Sequence, residues 1–109
     1  MRIWDIPADR LCRNHLLGEH RELHAIWAIL TKGKKGYANH PETRRWVGKL
    51  KALYRRHEEL AVEMSQRGYK HQSPLAYDLA TGKKVQTEFV DPPERQVSIL
   101  RRKKCGCLV

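Results

Sequence analysis

No stretch of the 109-residue chain approaches the roughly 20 consecutive apolar residues of a membrane-spanning helix. The opening residues also lack the apolar core of a secretory signal, so a cytoplasmic protein with no membrane partner is expected. Internal repeats and low-complexity tracts are absent, which leaves one domain over residues 1–109 with a single modest core. Cysteine is scarce and odd in number: three residues, with Cys12 far in sequence from Cys105 and Cys107. A Cys-x-Cys pair is a weak zinc signature by itself, because structural zinc takes four placed ligands, usually as two spaced pairs. Reduced thiols and no metal are the expectation.

Acidic residues are the other shortage. Twelve Asp and Glu stand against 22 Lys and Arg, for a net charge of +10 and a pI near 9.9. The excess runs along the whole chain rather than in a detachable tail, which fits a surface facing a polyanion. Nucleic acid is the expected partner.

The apolar pattern is helical. Residues from about Pro7 to Leu30 read as one helix or a short helix running into a long one, with Leu16, Leu23, Ile26, Trp27 and Leu30 at three- and four-residue spacing as a buried stripe. Lys32-Gly33-Lys34-Lys35-Gly36 ends it. A second helix is expected from near Pro41, capped by His40 or Thr43, with Leu50, Leu53, His57, Leu60 and Met64 as its stripe and Gly68 as its stop. Val85 to Val90 reads as a short extended stretch. Asp91-Pro92-Pro93-Glu94 then opens a third helix to about Lys104, with Val97 and Leu100 inward. The fold class is all-α, about three helices with irregular connections.

Two features carry chemistry. An α-amino group has an intrinsic pKa of about 7.7–8.0 against about 10.4 for lysine, so the amine of Met1 is a usable nucleophile near neutrality. Glu22 shares a helix face with Gly18, Ala25 and His15, which sets its carboxylate in a shallow trough of small side chains that a phosphodiester backbone can approach. Without further information, Glu22 reads more readily as a surface glutamate on an amphipathic helix.

Met1 to Leu23 resembles, without gaps, the amino-terminal segment of the phage pyrimidine-dimer DNA glycosylase and abasic-site lyase family, the endonuclease V type, once that enzyme's initiator Met is removed. Arg2, Ile3, Leu11, His15, Leu16, Glu19, Arg21, Glu22 and Leu23 carry the likeness. Lys49 to Leu60, and on to Arg67-Gly68-Tyr69, is similar to the family's second helix and its Arg-Gly-aromatic end. The resemblance implies an all-α fold and a monomer acting on damaged double-stranded DNA, nucleoid-associated when it acts. It also implies base excision followed by strand scission, without cofactor or metal. By position, the Met1 amine takes the nucleophile's role and Glu22 that of the carboxylate that assists imine formation. Arg2 and Arg21 fall in columns of phosphate-contacting arginines; Asn14, His15 and His20 lie near the same face.

The chain departs from the phage pattern in three places. The phage enzyme exposes a threonine, whereas the bulky Arg2 is expected to keep Met1 in place. A third family arginine is Ala25 here, with His24 as a possible substitute, and no counterpart of the family's aromatic carboxyl-terminal tail is present. These departures leave room for another damaged base, or for a non-catalytic basic binder. Trp27 and Tyr54 are expected in the core; Trp4 is open between packing and base stacking. Arg101-Arg102-Lys103-Lys104 looks like a phosphate-gripping cluster.

Overall fold

The computed structural model describes residues 2–70 and 73–109. Its long elements are α1 (Arg13–Lys32), α3 (Leu50–Gln66) and α4 (Pro93–Lys103), with a single-turn α2 (Pro41–Arg44) and short 3-10 turns at Ala8–Arg10 and Tyr77–Leu79. No strand forms among the described residues, so the extended stretch at 85–90 joins no sheet there. The all-α expectation holds.

Helix α1 packs on α3 through the predicted stripes. Leu16, Leu23, Ile26 and Trp27 meet Leu53, Leu60 and Met64 in one core that also takes Ile3, Trp4, Ile6, Leu11, Trp46 and Leu100. Trp27 is buried with Tyr54 beside it, ring centroids 6.3 Å apart. No helix among the described residues is long and apolar enough to cross a membrane.

One boundary refines the periodic reading and another corrects it. Of the two readings of residues 7–30, one helix or a short helix leading into a long one, the second is closer: a 3-10 turn at Ala8–Arg10 precedes α1, which begins at Arg13. The helix expected from Pro41 to Gly68 is two pieces. His40 caps the first by accepting the Glu42 N–H at Nδ1, 3.1 Å. The chain then turns at Gly48 before α3 begins. Lys51 and Ala52, in the first turn of α3, would present orphan N–H groups; they donate instead to the carbonyls of Thr81 (2.7 Å) and Lys83 (3.0 Å). A distant loop thus caps this helix where no local side chain does.

Candidate functional site

Residues 2–11 form no helix beyond the single 3-10 turn at Ala8–Arg10, yet half of them are buried. Backbone groups in such a position need partners, and buried side chains supply them. Ile3 donates its N–H to Glu42 Oε1 (3.0 Å), Trp4 to Glu19 Oε1 (3.0 Å) and Asp5 to Gln96 Oε1 (2.7 Å). The Ile3 carbonyl accepts from Arg45 Nη2 at 3.0 Å, and that guanidinium also spans Glu42 and Asp5. Farther along, Ala8 donates to Glu59 Oε2 (2.9 Å), while Arg67 donates to the Leu11 carbonyl (2.6 Å). Acceptors from α1, α2, α3 and α4 therefore fix one short segment.

Glu19 anchors this clasp. It is 2 % exposed and receives Arg56 Nε at 2.6 Å and Arg56 Nη2 at 3.0 Å. Burial raises its carboxyl pKa against the opposing pull of Arg56. Burial also works against the Arg56 charge, but Glu19 and Glu59 outweigh it and hold the guanidinium above its ordinary value.

Next to this buried face lies an open one. Asn14, Gly18, Arg21 and Ala25 recur at spacings of four and three along α1; Asn14, Arg21 and Ala25 are exposed, and nothing stands within 4 Å of where a Gly18 Cβ would be. Glu22 is half-buried at the border between the two faces. Arg2 pairs with Asp91 at 2.9 Å and lies 4.9 Å from the centroid of the Trp4 ring. Trp4 is 6 % exposed and packs edge-on to His15, centroids 5.5 Å apart, which settles it as a core residue. Burial, then repulsion from Lys103, lowers the His15 pKa. Lys103 thus brings the exposed run Arg101–Lys104 toward this end of α1. Met1 lies outside the described residues. The structure brings Glu22, Arg21 and Asn14 onto one side of α1, whereas Arg2 is engaged by Asp91 and His15 faces cysteine sulfurs.

The family model described as pyrimidine dimer DNA glycosylase matches residues 1–77, about seven-tenths of the chain. The chain belongs to this family. No curated protein and no solved structure matches it. Membership makes the protein a DNA glycosylase with DNA as its substrate. The matched region contains Glu19, Glu22, Glu42 and Arg56, and excludes α4 with its buried Gln96.

Two clusters escaped the sequence reading. Cys12, His15, Cys105 and Cys107 meet in space, their ligand atoms all within 4.8 Å of one another, and the three thiols form no disulfide. The legible signal was Cys12-x-x-His15, a pair spaced for one helical turn, set against Cys105-x-Cys107 at the far end of the chain. His20, His24 and His57 also converge, with His24 Nε2 at 3.2 Å from His20 Nε2 and 3.1 Å from His57 Nε2. His20 and His24 are four residues apart on α1. His24 points into this group and away from the place of the missing arginine at Ala25.

Proposed function

We propose that the protein excises damaged pyrimidines, cyclobutane dimers first among them, and then cleaves the abasic strand through an imine on its own terminal amine. The amine of Met1 attacks the anomeric carbon, forming an N–C bond as the glycosidic bond breaks and its electrons leave with the base. The nitrogen lone pair then expels O4′, opening the sugar ring, and the resulting iminium acidifies the adjacent sugar proton. Loss of that proton drives β-elimination, in which the 3′ phosphate departs. Glu22 assists ring opening and moves protons, a task suited to a carboxylate beside developing positive charge. The sugar carbon is inaccessible in an intact stack, so the target nucleotide must leave the duplex. Amine and carboxylate suffice for these steps without a cofactor.

The observation that supports this reading is the clasp on residues 3–5. A terminal nucleophile is useful only if its chain is held, and three consecutive N–H groups here are bound by Glu42, Glu19 and Gln96. The open stripe Asn14–Gly18–Arg21–Ala25 beside Glu22 offers a backbone-accessible face, with Arg21 and Arg2 as phosphate contacts. Action as a monomer on damaged duplex DNA, inside the cell and near the nucleoid, belongs to the same proposal. The exposed Ala25, in the column of a family arginine, favours a second reading in which the same chemistry serves another damaged base. Cleavage of a panel of lesions separates the two.

Borohydride trapping on an abasic duplex tests the mechanism. The crosslink is expected at Met1, and acetylating the amine should abolish it; a crosslink mapped to a lysine overturns the assignment. Glu22→Gln should fold and bind damaged DNA while turnover falls by roughly 10²–10⁴-fold. Near wild-type cleavage by that variant would make Glu22 a solvated helix residue.

A further inference from the structure

Helix α1 begins at a cluster of thiols. Cys12 is its N-cap residue and His15 follows one turn later. After α4 the chain reverses through Lys104 and Gly106, the latter at φ +97, a conformation that suits glycine. The reversal sets Cys105 Sγ 3.5 Å from Cys107 Sγ. Leu108 then donates its N–H to the Arg10 carbonyl at 2.7 Å, so the tail is tied to the entrance of α1. His15 Nδ1 stands 3.1 Å from Cys12 Sγ and 3.5 Å from Cys107 Sγ, while the Cys12 N–H points at Cys107 Sγ at 3.1 Å.

From these distances we infer that Cys12, His15, Cys105 and Cys107 bind a zinc ion. With Zn–S near 2.3 Å and Zn–N near 2.0–2.1 Å, a tetrahedral site has sulfur–sulfur edges of about 3.8 Å and sulfur–nitrogen edges of about 3.6 Å. The observed edges approach these values on four side chains that are half-buried and drawn from both ends of the chain. Three soft thiolates and one imidazole select zinc over hard cations, and four protein ligands leave no position for water. The N–H bond to Cys107 Sγ supports a thiolate in the manner of an outer-shell partner. The ion is therefore structural. It fastens the tail to α1 and holds His15 edge-on to Trp4, whose own N–H is bound by Glu19. This inference is independent of the glycosylase mechanism and gives His15 a ligand's role instead of a DNA contact.

The histidine cluster carries a second, separate inference. Its nitrogen–nitrogen distances of 3.1 and 3.2 Å lie close to the edge of about 3.3–3.4 Å expected for imidazoles around one zinc ion. His57 is fully buried, and its Nδ1 meets Glu58 Oε1 at 3.1 Å, the carboxylate backing typical of metal-bound histidine. Positions 20 and 24 lie about 200° around α1 from Glu22, on opposite sides of it. The geometry points to a divalent transition-metal site with an open coordination position, outside the Glu22 face.

Cobalt titration of the full chain reads both sites. Wild type should take up two equivalents, one giving thiolate-to-cobalt charge-transfer absorption and one only ligand-field bands. Cys105→Ser with Cys107→Ser should abolish the charge-transfer band, and zinc should slow the reaction of all three thiols with a disulfide reagent until a chelator is added. Thiols that react equally fast with and without zinc overturn the first site, whether or not the double variant folds. His24→Gln should remove one equivalent and leave the thiolate band intact. Saturation of wild type at the thiolate equivalent alone overturns the second site.

Discussion

Residues 2–11 and 73–92 each hold only one 3-10 turn, but one threads the interior and the other lies on the surface. In the first, Ile3, Trp4, Ile6, Ala8 and Leu11 are all buried; in the second, only Leu75 is. The difference is where their backbone hydrogen bonds go. The surface segment is free to use water, whereas the interior one is bound by Glu19, Glu42, Glu59 and Gln96. Charged and amide acceptors in a core are costly unless they are fully used. Here the buried Glu19, Glu42 and Gln96 each bind a backbone N–H of residues 3–5, so these interior polar groups are spent on holding one short segment.

Breaking the support beneath the clasp should have the largest effect. Arg56→Met leaves Glu19 buried without its cation, which is expected to cost about 3–5 kcal/mol at neutral pH in urea unfolding. The pH dependence follows from the carboxyl. Burial raises the folded-state pKa of Glu19 above its unfolded value, and removing Arg56 raises it further. A group shifted that way contributes stability below the unfolded pKa and loses it as pH rises through the folded one. The deficit of Arg56→Met should therefore shrink on acidification. A deficit constant with pH would mean that Glu19 is not the group left unpaired.

A smaller loss is expected at α4. Gln96→Leu keeps the bulk but strands the Asp5 N–H and removes the amide donor shared by Asp5 Oδ2 and the Asp91 carbonyl, for about 1–3 kcal/mol. If the clasp positions the terminus, trapping on abasic DNA should fall in this variant even at temperatures where it is fully folded. Undiminished trapping would confine Gln96 to stability.

Much of this interior region was not legible in the sequence. The stripes of α1 and α3 are local periodicities, and both helices follow from them. The clasp is not local: Ile3 meets Glu42, and Asp5 meets Gln96, across 39 and 91 positions. No pattern of three or four residues announces a glutamate as a backbone acceptor, so Glu19 reads only as one matched residue among several. The break at Gly48 was hidden because the helix entry at Pro41 and the stripe that begins at Leu50 read as one continuous helix. Glu22, Arg21 and Asn14 were legible as neighbours because helical spacing alone sets them side by side. Cys12 and Cys107 were not, with 95 positions between them.

The surface segment supplies the smallest effects, with one exception that sharpens the contrast. Gly82 sits at φ +82, and a Cβ there would collide with the Gly48 carbonyl, the group that accepts the Lys83 N–H at 2.9 Å. Its neighbours Thr81 and Lys83 cap the first turn of α3. Gly82→Ala should therefore cost about 1–3 kcal/mol through strain and a loosened cap. Val85, three residues on and 56 % exposed, has no such duty. Val85→Ser should change stability by no more than about 0.5 kcal/mol. Equal losses from the two variants in parallel urea titrations would mean that the whole 73–92 segment is held cooperatively. A loss confined to Gly82→Ala would locate its structural value in the three residues that cap α3.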